Sequence, residues 1–345
     1  MKTRRLASLA LLAVTGLTPL AAWDYAGHRL VNQVALAALP EDFPAFVREP
    51  AAAERIAFLA GEPDRWRNNA DLPIKHANGL DHYLDVEQLA EAGLTPATVA
   101  PMRLAFATQY AAGRVANPAA YAPIDPAKNR DRTREWPGFA PWAIAEHYGK
   151  LRSAFAYLKA YEEHGGTADE IANARANAIY IMGVMGHFVG DCAQPLHTTV
   201  HHNGWVGDNP KGYTTKPGIH AWIDEGLIAK AGINFDALAT RLEPAAALEL
   251  TDVPAGQDAF FNAVMAYFMK QHAHVEAVYA LEKTGELGLG ATEVSPAARA
   301  LIAGQLHAGG QMLAAIWVTA WKTAPTDTYL QAQLEKRQAD AAVSR

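Results

Sequence analysis

Gly27–Leu39 reads GHRLVNQVALAAL. Its apolar residues Leu30, Val31, Val34, Leu36 and Leu39 recur near the 3.6-residue spacing of one helical face, and Pro40 stops the run. The same period predicts further helices over about 51–60, 98–115, 141–164, 168–192, 219–231, 256–282 and 296–323. Stretches that alternate apolar and polar residues with β-branched enrichment are few, and alanine is abundant throughout. The expected fold class is therefore all-α: a single, mostly helical, bundle-like domain. Two connections rich in Gly and Pro, at about 116–140 and 201–218, are long for a compact domain, which marks them for function. The polar stretch Gln331–Arg345 is expected to fray.

The chain has 345 residues, of which 50% are hydrophobic and 19% charged. That balance excludes disordered and fibrous classes and supports a sizeable buried core. No internal repeat, low-complexity block or clear linker divides it. Thirty Lys plus Arg against 36 Asp plus Glu give a formal charge of −6, so no overall basic field draws in a nucleic acid or an anionic membrane. A phosphate-bearing substrate would need bound cations to attract it. Residues 1–22 read as an export signal: Lys2, Arg4 and Arg5, then an apolar run from Leu6 to Thr18, then Pro19-Leu20-Ala21-Ala22. Cleavage after Ala22 would make Trp23 the new N-terminus and, with three cations and no anions removed, leave a charge of −9. The expected organisation is a signal peptide over 1–22, one helical domain over 23–330 and a polar tail over 331–345. A secreted or periplasmic protein without a membrane anchor follows. The lone Cys192 excludes an internal disulfide, so stability must come from packing, metals or both.

The chemistry begins at His187-Phe-Val-Gly-Asp191-Cys-Ala-Gln-Pro-Leu-His197. On a helix, His187 and Asp191 lie four residues apart and project from one face, as two ligands of one metal must. His220-Ala-Trp-Ile-Asp224 repeats the spacing. Upstream, His28 follows Trp23 by five residues, and Asp64 and His82 add a carboxylate and an imidazole. Taken singly, a helical His/Asp pair is more often a surface ion pair than a ligand set. Jointly, five of the thirteen histidines fall in these segments beside carboxylates, and nitrogen and oxygen donors of this kind suit Zn²⁺.

Trp23-x4-His28, Asp64-x2-Arg67, His82-Tyr83, His187-x3-Asp191-x5-His197 and His220-x3-Asp224, in that order, resemble the trinuclear-zinc superfamily of bacterial phospholipases C and single-strand-specific nucleases. The likeness runs from about Trp23 to Leu227. It implies a helical fold with three zinc ions in a cleft. One zinc would take Asp64, His82, His187 and Asp191. Its neighbour would take the Trp23 amine and carbonyl, His28 and a bridging Asp191, and a more distant third would take His197, His220 and Asp224. The implied reaction is phosphodiester hydrolysis by a zinc-activated water, with Asp64 orienting that water and Arg67 clamping phosphate.

The five-residue step from Trp23 to His28 and the long segment between His197 and His220 resemble the nuclease branch. The expected function is a zinc-dependent phosphodiesterase acting on single-stranded RNA or DNA, with 3′-nucleotidase activity as an extension. The alternative is a phospholipase C acting on phospholipid head groups, and no obligate protein partner is evident. Asp24 stands where the nuclease motif has Gly, and the base-pocket sequence is matched only loosely, by Asn203-Gly204 and Gly207-Asp208-Asn209. Trp205 and Tyr213, in the 201–218 loop, are the candidate substrate contacts: they could stack on an unpaired base or anchor the loop. Cys192, one helical step past Asp191, turns away from the ligand face and suits packing. The 98–164 segment is longer than nucleases have there and could build a substrate wall; its Trp136, Trp142 and His147 match nothing in the family.

Overall fold

Helices make up the regular structure of the computed structural model, which describes residues 23–290 and 293–343. The proposed signal peptide, 1–22, lies outside the described residues. Among those described there is no β-strand, only isolated bridges at Leu84 with Gly138 and at His202 with Gly204. In chain order the helices are α1 (Tyr25–Ala37), α2 (Pro50–Leu59), α3 (Glu62–Arg67), α4 (Leu72–Gly79), α5 (Val86–Glu91) and α6 (Arg103–Ala116). The long α7 (Ala140–Glu163) and α8 (Ala168–Ala193) follow. Next come α9 (Ile219–Ala221), a π-helical turn Trp222–Leu227, α10 (Ile228–Lys230) and α11 (Phe235–Ala239). The series closes with α12 (Ala259–His272), α13 (Val275–Lys283), α14 (Pro296–Lys322) and α15 (Thr328–Val343).

Helix α8 is the axis of the domain, with α1, α2, α7 and α14 packed around it. Its start is fixed by a capping box, in which the Thr167 hydroxyl accepts from the Glu170 N–H while the Glu170 carboxylate accepts from the Thr167 N–H. Its second half buries Met182, Val184, Met185, Phe188 and Val189, each contributing about 1.5–3 kcal/mol of burial. Gly183 and Gly186 set how close the neighbours come. A Cβ at Gly183 would stand 2.6 Å from that of Leu59, and one at Gly186 would collide with the Asn32 amide oxygen. Asn32 in turn donates to the Ile56 and Gly183 carbonyls at 2.8 and 3.0 Å, tying α1 to α2 and α8.

Most helices expected from periodicity are present within a few residues. The expected 256–282 helix is two, α12 and α13, broken at Ala273–His274. The short α3 and α4, each with a proline in its first turn, escape a period that needs several turns to register. The stretch expected to fray, 331–345, is helical over its described part: α15 runs to Val343, with Leu334 buried and Arg337 paired to Glu170 at 2.8 Å. Buried Leu334, the forked Arg337–Glu170 pair, Arg337 donating to the Gly165 carbonyl, Gln338 donating to that of His164 and Glu335 beside the His164 ring hold a segment whose composition is polar. No helix among the described residues is long and apolar enough to cross a membrane.

Candidate metal centre

The side chains singled out in the sequence converge on one end of α8. Three groups of ligand atoms lie within 4.8 Å of one another: His28, His187 and Asp191; Asp64, His82 and His187; and His197, His220 and Asp224. The expected third set is reproduced residue for residue, whereas the first two differ in that His187 also sits against His28, their rings stacked at 3.8 Å. Asp191 occupies the middle. Its Oδ2 is 3.0 Å from His82 Nδ1 and 3.2 Å from His187 Nε2, and its Oδ1 is 3.5 Å from both His28 Nε2 and His197 Nδ1.

Each element delivers its side chain for a local reason. Asp24 caps α1 by accepting from the Gly27 N–H at 3.0 Å, which places His28 one turn in. Trp23 is fully buried, its indole N–H donating to the Gly190 carbonyl at 2.8 Å, and a Cβ at Gly190 would press to 3.0 Å on His28 Nδ1. His197 follows Pro195 in the short turn Pro195–Thr198 that ends α8. His220 and Asp224 span the junction of α9 with the π-helical turn, and their Nε2 and Oδ2 are 3.0 Å apart. The turn permits this through Gly226, since a side chain there would collide with the Trp222 ring.

The imidazoles are oriented from behind. His187 Nδ1 lies 2.7 Å from the Ala60 carbonyl, His197 Nδ1 2.6 Å from that of His82, and His220 Nδ1 3.2 Å from that of His202. A carbonyl can only accept, so each of these rings carries its proton on Nδ1 and turns an unprotonated Nε2 to the cluster. Gln194 donates to Asp224 Oδ1 at 2.9 Å. Burial, with help from His187, His197 and Arg67, holds His28 well below the usual histidine range; burial also depresses His82 and His197. These three are therefore neutral at physiological pH, the form that ligates metal. Burial also pushes the Asp191 carboxyl up to about 6.

Several of the inward atoms have no hydrogen-bond partner although buried, among them both nitrogens of His28, both oxygens of Asp191, Asp64 Oδ1, His197 Nε2 and Asp224 Oδ2. A buried carboxylate left unpaired carries a large desolvation cost. A tetrahedral zinc with bonds of about 2.1 Å holds its ligand atoms about 3.4 Å apart, close to the 3.0–3.5 Å separations around Asp191. The residues present thus fit divalent metal ions.

Outward from this cluster opens a cleft of about 540 Å³. Arg67 lines it, half-buried and 3.1 Å from Asp64 across one turn of α3. Lys75, Lys128, Arg134, Tyr83 and Trp136 also line it, and reasoning from the sequence did not single out any of these as a substrate contact. The cations are scattered over α4 and the 116–140 connection, and only the unexplained length of the 98–164 segment hinted at a wall. The expected substrate contacts Trp205 and Tyr213 need correcting, because neither lines the cleft. The Trp205 ring stacks on His201 at 3.9 Å, meets Tyr213 and Tyr279, and its N–H donates to the Asp208 carbonyl at 2.8 Å; Tyr213 is buried. They pin their loop, since a segment so poor in apolar residues needs its few rings to close on themselves. Cys192 is buried behind the ligand face, consistent with packing.

No family model matches the chain. No curated protein matches it either. Among solved structures it is similar to the alpha-toxin of Clostridium perfringens from avian strain SWCP, at 14% identity and a TM-score of 0.35, over 88% of this chain. The chain spans 65% of that structure's length. A likeness this loose leaves the chemistry to be argued from the side chains themselves.

Proposed function

We propose that the chain is an exported zinc-dependent phosphodiesterase. The observation that carries this reading is the three adjoining groups of imidazoles and carboxylates around Asp191, several of whose buried inward atoms lack a hydrogen-bond partner. Their donors are nitrogen and oxygen, the set zinc favours, and no other cluster of this kind occurs among the described residues. Zinc held by His28, Asp64, His82, His187, Asp191, His197, His220 and Asp224 would supply an activated water and Lewis-acid charge neutralisation at a phosphorus centre. Cleavage after Ala22 would add the Trp23 amine beside His28, a ligand that an internal amide cannot provide.

The chain's own groups supply the rest. Asp64, whose Oδ1 lies 3.1 Å from Arg67 Nε and 3.9 Å from both His82 Nδ1 and His187 Nε2, can orient a water and accept its proton. Arg67 presents a planar fork at the cleft wall, where it can hold a nonbridging phosphate oxygen. Arg67, Lys75, Lys128 and Arg134 line the cleft against two carboxylates, Asp85 and Asp131, the latter paired with Lys75 at 3.6 Å, which leaves an excess of cations on a chain that is acidic overall.

Two substrates fit a phosphodiester site with such walls: single-stranded nucleic acid and phospholipid. Trp205 and Tyr213, the rings expected to stack on bases, do not line the cleft, so the phospholipid reading is the better supported. Hydrolysis of bis(p-nitrophenyl) phosphate by the exported protein, chelated and then zinc-restored, tests the shared chemistry. A protein that holds zinc and leaves every diester intact would sink the proposal.

A further inference from the structure

Helix α6 carries an apolar face that the fold does not cover. Its inner side is fixed: Phe106 and Tyr110 are buried, and Phe106 stacks on Trp142 at 3.9 Å. That orientation leaves Leu104, Thr108, Ala111 and Val115, spaced at i, i+4, i+7 and i+11, facing outward. Leu104 is 80% exposed, Val115 81%, and Met102, just ahead of the helix, 64%. The one polar group in the row is satisfied internally, because the Thr108 hydroxyl donates to the Leu104 carbonyl at 2.9 Å, so its methyl completes the stripe. Single exposed apolar residues are ordinary; a contiguous row of them is a contact surface.

The row bounds a shallow groove whose far wall is Trp136. Trp136 is also a wall of the metal-side cleft. One indole therefore separates an apolar trough from a cationic one. Exposed Lys128 and Arg134 stand on the cleft side of this boundary, with Arg134 fixed by donating to the Lys128 carbonyl at 2.8 Å. A molecule that bridges them needs a phosphodiester at one end and an extended aliphatic part at the other. A polynucleotide offers charge along its whole length, whereas the outward row of α6 is uncharged: the helix's Arg103 is engaged by Asp81 and Glu146, and its Arg114 lies over the Tyr121 ring.

We propose that α6 is the surface on which a phospholipid aggregate is seated, with Leu104, Val115 and Met102 in the acyl and glycerol layer while the head-group phosphate enters the cleft past Trp136. This rests on the phosphodiesterase reading and names its substrate class. Helix α6 lies at the membrane surface rather than through it, since its apolar face is one stripe of a short helix.

The test uses the zinc-loaded full chain, vesicles of phosphatidylcholine, and bis(p-nitrophenyl) phosphate as a soluble diester. The double variant Leu104→Glu/Val115→Glu replaces exposed side chains and is checked by its melting curve; Leu104→Phe/Val115→Leu keeps the surface apolar. For the acidic variant, vesicle co-sedimentation and the ratio of vesicle to soluble-diester turnover are both expected to fall about tenfold or more, because two apolar side chains no longer leave water. The apolar variant should match the parent. Unchanged vesicle binding in the acidic variant overturns the proposal, as does a loss confined to binding of a single-stranded oligonucleotide. Should zinc-loaded protein cleave neither substrate, the catalytic reading fails, while vesicle binding that depends on these two positions still supports the docking surface.

Discussion

The floor and the wall of the cleft are built on different principles. The floor is buried: its imidazoles sit on helices α1 and α8 or at helix ends, three of them braced by a backbone carbonyl, and little can change there without stranding a charge. The wall is half-exposed, comes from α4, α6 and the 116–140 connection, and mixes cations with apolar side chains that meet water on one side. On the proposed phosphodiesterase reading, reactivity and substrate choice would be carried by separate parts of the chain. One is rigid and made of few residue types; the other is open to change.

Replacing Asp191 strikes the floor at its centre. Asp191→Asn should reduce bound zinc by one or two ions per chain and lower diester turnover by about a thousandfold; metal analysis of the purified variant with full zinc content would break the contrast at its root. A milder cut is Gln194→Ala, which removes the donor to Asp224 but no ligand. Zinc affinity of the His197, His220 and Asp224 group should drop about 10–100-fold, read by competition with a chelator, while the other ions are retained.

Proton uptake sharpens the same point. Burial raises the Asp191 carboxyl from 3.8 to about 6. A folded pKa above the unfolded one means that this group favours the fold at low pH and ceases to do so as pH rises through about 6. Chelated protein should therefore lose stability between about pH 4 and 7, and the increment in melting temperature on adding zinc should widen over that window. Equal increments at both ends would contradict it. On the wall, Lys128→Ala should raise KM for a soluble diester only a few-fold and leave kcat alone, as expected of a solvent-exposed cation.

The helical class, the long helices and the paired side chains that meet at the end of α8 were legible in the sequence because each depends on spacing within one segment. His187 with Asp191, and His220 with Asp224, needed only a helical turn to be brought together. What stayed hidden depends on packing between segments. Trp205 and Tyr213 looked available for bases until Tyr279, on α13, closed over them. Lys75, Lys128, Arg134 and Trp136 have no shared motif, and become one wall only when α4 and the 116–140 connection meet. The outward row on α6 was read as part of a periodic helix, and periodicity alone does not say which face the fold leaves uncovered. The helix α15 was hidden for the same reason, being held by Glu170 and its one buried leucine.

The notches at Gly183, Gly186 and Gly190 have a consequence for when the chain becomes competent. They admit α1 and α2 against α8, and bring Trp23 to Gly190, 167 residues further along the sequence. Closing a loop of that length comes late in folding, because its entropy is spent before any contact rewards it. His28 and Asp191 thus meet only after both ends of the intervening chain have been made and docked. A partly folded chain holds these histidines apart, and the metal-binding cluster is assembled only once this long-range contact has formed.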